Sequence, residues 1–318
     1  MDRSIAHTPP KPTKQGSSKR NSADGIEIFL PFKPPYDWQT IIRFYQSHPI
    51  PGLERVMEDS FERVFRIGER IGFFQVRAPA GTQLEVRVVM ESRKELCEVV
   101  SRVRKMFDLD CDPTRIGSSF ARVPLLSTLY DRYPGLRLPR GWDAFETAIC
   151  AILGQLVSAE QRSNLVRQLV DNYGDEVLHP ISAEKIRLFP AAEVLAKSDL
   201  RAVKTTKARR GAIRAFSRRV LSGAICLSES QDPVAFRKAL LETTGLGPWS
   251  AEYISLRSIA DPDAFPRTDL ILKRVLELHP KLDLECIKPW RSYAAIYLWK
   301  EFAKTLSRRR RHMDDVIL

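Results

Sequence analysis

An α+β fold is expected, with a small antiparallel sheet and flanking helices on the N-terminal side followed by an all-helical body. Three observations lead there. Apolar and other residues alternate at Ile26, Ile28 and Leu30 and again at Leu84, Val86, Val88 and Met90, and a period of two is the mark of strands. Beyond the Pro/Gly/Arg-rich residues 133–141 such signals nearly vanish and the chain reads as short helices. A length of 318 residues, at about 150 per domain, suits two domains.

Taken in order, residues 1–24 hold Ile5 as their only large aliphatic side chain, so they cannot repay the entropy of ordering and are expected to form a disordered basic tail. Residues 25–120 form the expected α+β domain. Its sheet uses the two alternating runs with 61–67 and 73–77, rich in aromatic and branched residues and broken by Gly68, Gly72 and Pro79. Helices flank it at 37–47 and 92–107. The helical domain covers 121–306, with helices expected at 142–157, 159–173, 206–221, 233–241, 248–259, 269–278 and 289–306, each beside breakers or capping residues. Residues 307–318, with four consecutive arginines, read as a basic tail.

Lys and Arg number 51 against 39 Asp and Glu, a formal charge of +12 that points to a polyanionic partner, nucleic acid first. Five cysteines at least 14 positions apart suit neither a zinc ribbon nor a disulfide framework and read as buried thiols of a reducing compartment. No apolar run reaches the roughly 18 residues of a membrane span, and no apolar signal core opens the chain, so a soluble intracellular protein is expected.

The most informative stretch is Leu240-Leu-Glu-Thr-Thr-Gly-Leu-Gly-Pro-Trp-Ser-Ala-Glu-Tyr253, where one helix runs into Gly245-Leu246-Gly247 and a second starts at once. Two glycines permit the sharp turn, and Pro248 is preset for the first helical position. The amides from Gly247 to Ser250 then point outward, and helix-terminal N–H groups bind phosphate. Residues 233–258 therefore read as a helix-hairpin-helix. Asp269 follows Gly247 by 22 positions, before Leu-Ile-Leu. As a bare N-cap it would be ordinary. The same position also suits a carboxylate that stabilises positive charge developing on a sugar, or that activates a water.

These residues resemble the helix-hairpin-helix DNA glycosylases, and within them the DNA-3-methyladenine glycosylase II family. The resemblance runs from Glu27 to Phe302. It includes Pro34-Pro-Tyr-Asp-Trp38, Phe107-Asp-Leu109 with Asp112-Pro113, Pro134-Gly-Leu-Arg-Leu-Pro139, Asp143-Ala-Phe-Glu146, Ala151-Ile-Leu-Gly-Gln-Leu-Val-Ser158, the hairpin, the Asp269 loop and Lys288-Pro-Trp-Arg-Ser-Tyr-Ala294. The order of these motifs carries the specificity. The resemblance implies Asp269 as the catalytic aspartate and Leu156 as the wedge that fills the gap left by an extruded nucleotide. It implies Trp249, Tyr253 and Trp299 as aromatic walls of the base pocket, and Gly245, Gly247, Trp249 and Ser250 as the phosphate-binding turn. Relatives hold a monovalent cation on hairpin carbonyls, so Na+ or K+ near Thr243 and Gly245 is the one ion implied. Here the usual Leu-Pro-Gly entry is Thr243-Thr244-Gly245.

The implied activity is excision of alkylated purines such as 3-methyladenine and 7-methylguanine from double-stranded DNA by a monomer, in the nucleoid of a bacterial cytoplasm or in a eukaryotic nucleus. A base must leave the stack before its glycosidic bond is reachable, and aromatic faces would hold a cationic base. Relatives that also cut the strand carry a lysine two positions after the second hairpin glycine. Trp249 stands there, so the chain resembles the monofunctional branch, which needs no cofactor. The four cysteines of the iron–sulfur branch are missing too. Two rivals remain at this level: a glycosylase for oxidised or deaminated bases, and a catalytically silent helix-hairpin-helix DNA-binding protein. Residues 201–219 hold eight basic residues and no acid, a face able to track a DNA backbone or simply to be solvated.

Overall fold

The computed structural model describes residues 25–228 and 230–314, so the expected tail of residues 1–24 lies outside them. Strands β1 (Ile26–Pro31), β2 (Glu54–Val56), β3 (Ser60–Ile67), β4 (Arg70–Ala80) and β5 (Gln83–Met90) form one antiparallel sheet in the order β1-β5-β4-β3-β2. Period two divides its side chains between two covered faces. Phe61, Phe65, Phe74, Val76, Leu84, Val86 and Val88 pack with helices α1 (Trp38–Ser47) and α2 (Leu96–Met106). Val64, Phe73 and Val89 join the core of the helical body on the other side.

Two of the expected breaks fall inside β4. Gly72 stands opposite Phe65 in the ladder, and a Cβ there would meet the Phe65 ring at 2.4 Å, so this glycine makes room for a cross-strand aromatic. Pro79 lies where the β4–β5 register shifts, a place that needs no ladder N–H. Gly68 does turn the chain, with φ at +58° between β3 and β4.

The helices that follow are α3 (Pro113–Phe120), α4 (Pro124–Arg132), α5 (Ala144–Leu153) and α6 (Ala159–Tyr173). After the short hairpin β6 (Glu176–Leu178) and β7 (Lys185–Arg187) come α7 (Ala192–Lys197), α8 (Lys207–Leu221), α9 (Pro233–Leu241), α10 (Pro248–Ser258), α11 (Leu270–Leu278) and α12 (Arg291–Asp314). Side chains of Asp37, Asp112, Asp143, Ser158, Thr206, Asp232 and Asp269 cap seven of these helices, and Pro opens α3, α4, α9 and α10. The arginine run begun at 308 lies within α12, which continues to Asp314 rather than ending near 306.

Two helical cores result. One joins α5, α6, α8, α9 and α10 to the sheet, and the other packs α3 and α4 against α11 and α12. Buried Asp108 ties the sheet side to α12, accepting from Tyr293 Oη at 3.0 Å and from Leu138 N at 3.0 Å. Cys111 and Cys150 are buried as expected, whereas Cys97 and Cys226 are exposed and Cys286 is half-buried, because their positions lie at helix and loop surfaces. No described helix is long and apolar enough to cross a membrane.

Candidate active site

The hairpin between α9 and α10 closes through Leu246 N donating to Thr243 O at 3.0 Å. Gly245 has φ at +87°, and a Cβ there would lie 2.6 Å from Ala212 of α8, so conformation and close packing both require glycine. Gly247 is the extended N-cap of α10 and exposes the first amides of that helix. Ser250 is buried and its Oγ accepts from Gln155 Nε2 at 2.8 Å, which leaves its backbone N–H for the expected phosphate role. Gln155 Nε2 also donates to Gly245 O at 3.2 Å. The carbonyls of Thr243 and Gly245 each keep a second lone pair, and such neutral hard oxygens fit a monovalent cation.

That Gln155 contact bolts a second element to the hairpin. The loop between α5 and α6 is held by Gln155 on one side and by Arg209, which donates to Gln155 O, on the other. Leu156 follows, with φ at +53° and 96% of its side chain exposed. A leucine after an apolar helix would ordinarily be core. Here a rigid loop projects it outward beside the hairpin, as a wedge requires.

Along α10, positions i, i+4 and i+8 place Trp249, Tyr253 and Arg257 on one stripe. The Trp249 and Tyr253 rings stack at 4.9 Å and 12°, and Tyr253 meets Trp299 of α12 edge-on at 6.3 Å. Asp269, half-buried at the start of α11, faces this cluster. Its Oδ1 accepts from Trp299 Nε1 at 2.9 Å, Ile271 N at 3.0 Å and Leu272 N at 3.2 Å, and its Oδ2 accepts from Trp249 Nε1 at 3.2 Å. The loop before it is pinned by the Arg291–Asp263 ion pair at 2.6 Å, by Ser292 Oγ donating to Asp261 O and Ala264 O at 2.7 Å, and by Phe265 N donating to Glu252 Oε2 at 3.0 Å. Every bond that fixes Asp269 thus comes from an N–H, and the carboxylate is oriented by two indoles and a helix terminus.

The structure therefore brings Asp269, Trp249, Tyr253 and Trp299 together, with Leu156 and the hairpin turn as neighbouring elements. It adds two residues that sequence reasoning missed. Arg257 is buried with its guanidinium 4.3 Å from the Phe44 ring, 5.5 Å from Tyr253 and 5.7 Å from Trp299, and donates to Pro139 O at 2.6 Å. Burial pulls its pKa below the usual guanidinium value. Its spacing from Trp249 and Tyr253 was the available signal, whereas Phe44 reaches the site from α1 and gives none. Of the basic run, Arg209, Arg210 and Arg218 donate to the carbonyls of Gln155, Thr205 and Ala196, and Arg219 pairs with Glu242 at 2.9 Å. Half of the eight charges therefore serve the fold.

A family model described as the AlkA N-terminal domain matches residues 27–143. A probable bifunctional transcriptional activator/DNA repair enzyme AlkA of Mycobacterium tuberculosis is 31% identical over 87% of this chain, which spans only 57% of that relative. The 3-methyladenine DNA-glycosylase structure from Archaeoglobus fulgidus shares the fold, with a TM-score of 0.71 over 86% of this chain and 97% of that one at 19% identity. A DNA-3-methyladenine glycosylase of Bacillus subtilis is 30% identical over 75% of this chain and 84% of its own. A likeness at that identity over three quarters of this chain and most of such a relative makes this chain a member of the DNA-3-methyladenine glycosylase II family.

Proposed function

We propose that the chain is a monofunctional DNA glycosylase that flips alkylated purines out of duplex DNA and hydrolyses their N-glycosidic bond. The observation that carries this reading is the Asp269 carboxylate, held between two indole N–H groups at the edge of an aromatic cluster. A purine alkylated at N3 or N7 is cationic, so when its C1′–N bond breaks the electron pair neutralises the base and positive charge moves to the sugar. A fixed carboxylate stabilises that sugar cation. Water then adds at C1′ and loses a proton, leaving an intact abasic site. Of the two oxygens, Oδ2 has one protein partner against three on Oδ1, so Oδ2 is the atom that faces the sugar or the attacking water.

Trp249 and Tyr253 are stacked on each other, which leaves no room for a third ring between them. The base therefore lies against this pair as against one wall, on the side of Trp299. Faces of this kind attract cationic bases of varied shape. Leu156 would fill the gap in the duplex, and the exposed α10 amides would hold the phosphate backbone. With Trp249 in place of a lysine no Schiff base forms, and the protein acts as a monomer on DNA, in the nucleoid or nucleus. Na+ or K+ on the Thr243 and Gly245 carbonyls would stiffen the turn.

The test is to incubate the protein with methylated duplex DNA and with duplexes carrying 8-oxoguanine, and to identify released bases by chromatography. Several methylated purines should appear and 8-oxoguanine should stay. Exclusive release of 8-oxoguanine would replace the alkylpurine reading, and release of nothing would favour a silent DNA-binding protein. Borohydride should trap no covalent adduct on abasic DNA.

A further inference from the structure

Helix α6 carries Gln161, Asn164 and Gln168 at helical spacing, so three amide side chains share one of its faces. They line a groove of about 500 Å³ whose other bank is the loop before α8, with Lys204 and Thr206. No carboxylate lines this groove, whereas the cleft of about 550 Å³ beside Trp142 holds Glu98 and Asp143. Lys204 is exposed and pairs with no acid among the described residues.

Backbone contacts decide which end of these amides is left to a ligand. Gln161 Oε1 accepts from Ser158 N at 3.1 Å, and Gln168 Oε1 accepts from Lys204 N at 2.7 Å. Each oxygen is thus engaged and each NH2 group remains as a donor. Asn164 is exposed, and its amide bonds to no other described residue. Free donors beside an ammonium, with no acid to answer them, suit a ligand that is anionic and rich in acceptors. A phosphodiester backbone is both, and Lys, Asn and Gln side chains are among its ordinary ligands.

Leu156 stands between this groove and the hairpin. The residue before it, Gln155, bonds Gly245 O and Ser250 Oγ of the hairpin, and the residue after it, Val157, lines the groove. Trp249 in the first turn of α10 walls the base pocket, so a phosphate on the α10 amides belongs to the strand whose base is extruded. A wedge entering from the minor groove, about 6 Å wide, has one backbone on either side of it. We propose that the groove between α6 and the loop before α8 holds the sugar–phosphate backbone of the strand opposite the lesion. The protein then grips both strands across the wedge and favours duplex over single-stranded DNA. This assignment rests on the glycosylase reading for the roles of Leu156 and the hairpin.

Binding needs no excision, so the probe is a duplex carrying tetrahydrofuran as a stable abasic analogue. Asn164→Asp combined with Lys204→Ala should weaken binding to that duplex by about 10-fold, and binding to its lesion strand alone by less than about 2-fold. Neutral methylphosphonates then assign the strand. Placed in the opposite strand beside the orphaned nucleotide, they should weaken the wild type and leave the variant nearly unaffected, because the contact they remove is already gone. Placed in the lesion strand, they should weaken both proteins alike. Equal losses on duplex and single strand overturn the proposal, as does a variant whose defect couples to lesion-strand methylphosphonates or to those of neither strand. Should the double variant fold poorly, Lys204→Ala alone should show a smaller loss with the same strand pattern. Failure to release any methylated base would overturn the glycosylase reading instead, and these affinities would still decide what the groove holds.

Discussion

At Asp269 an amide is a poor substitute for a carboxylate even where its shape fits. Both oxygens accept from N–H groups, so the NH2 of an asparagine must face at least one donor and lose that bond. Asp269→Asn should lower single-turnover release of 7-methylguanine by at least about 100-fold while DNA affinity changes by no more than a few-fold. Excision close to wild type would move the catalytic role elsewhere. Trp299→Phe keeps an aromatic wall and deletes the 2.9 Å bond to Oδ1, and about a 10-fold loss is expected for one charge-assisted contact. Asp269 was legible in sequence because hairpin, spacing and capping chemistry coincide there, whereas Trp299 was implied only by the family resemblance. Phe44 and Arg257 were not. Phe44 becomes a site residue only when α1 packs beside α10, and Arg257, in the last turn of its helix, carries the ordinary signature of a cation favoured by the helix dipole.

Among the elements, legibility followed local punctuation. Helices α6 and α9 match their expected bounds, each opened by a capping side chain. Helices α3 and α4 lie between residues 107 and 142, where no helix was expected, because they are short and their apolar residues fit a partner, α12, far along the chain. The join of sheet to α5 is likewise a tertiary product: buried Arg63 of β3 bonds both Glu54 of β2 and Glu146 of α5. Two carboxylates on one guanidinium leave excess negative charge, and burial, outweighing Arg63, raises Glu146 from 4.5 to about 7. A carboxyl raised in the folded state contributes stability fully below about pH 4.5, and that contribution is lost as pH rises through about 7. The melting temperature should therefore fall between pH 5 and pH 8 on this account, and Glu146→Gln, which stays neutral, should flatten that fall. Equal slopes in both proteins would mean that Glu146 is ionised throughout.

Across the whole molecule, a formal charge of +12 invites the idea of a uniformly basic DNA face, but the structure distributes that charge unevenly. Arg209, Arg210 and Arg218 hold carbonyls of the protein itself, Arg201 and Arg219 pair with Asp199 and Glu242, and Arg214 is half-buried, which leaves Lys204 and Lys207 as the exposed cations of that run that pair with no acid among the described residues. Lys204 lines a groove with Gln161, Asn164, Gln168 and Arg209 just beyond the Leu156 loop, and Lys207 is the first residue of α8. A helix N-terminus repels cations, so Lys207 costs its own helix a few tenths of a kcal/mol, at most about 1, in the absence of an anion. A phosphate of the duplex would reverse that sign. Lys204→Glu combined with Lys207→Glu should therefore leave the melting temperature of the free protein unchanged or higher. In the same variant, the slope of log affinity for undamaged duplex against log salt should shrink by about 2, at roughly 0.9 per lost phosphate contact. Arg218→Glu, which disturbs a carbonyl contact instead, should lower the melting temperature and leave the slope alone. Measuring both quantities in both variants separates charges that face DNA from charges that hold the fold. An unchanged slope in the lysine pair would confine DNA contact to the hairpin and the wedge.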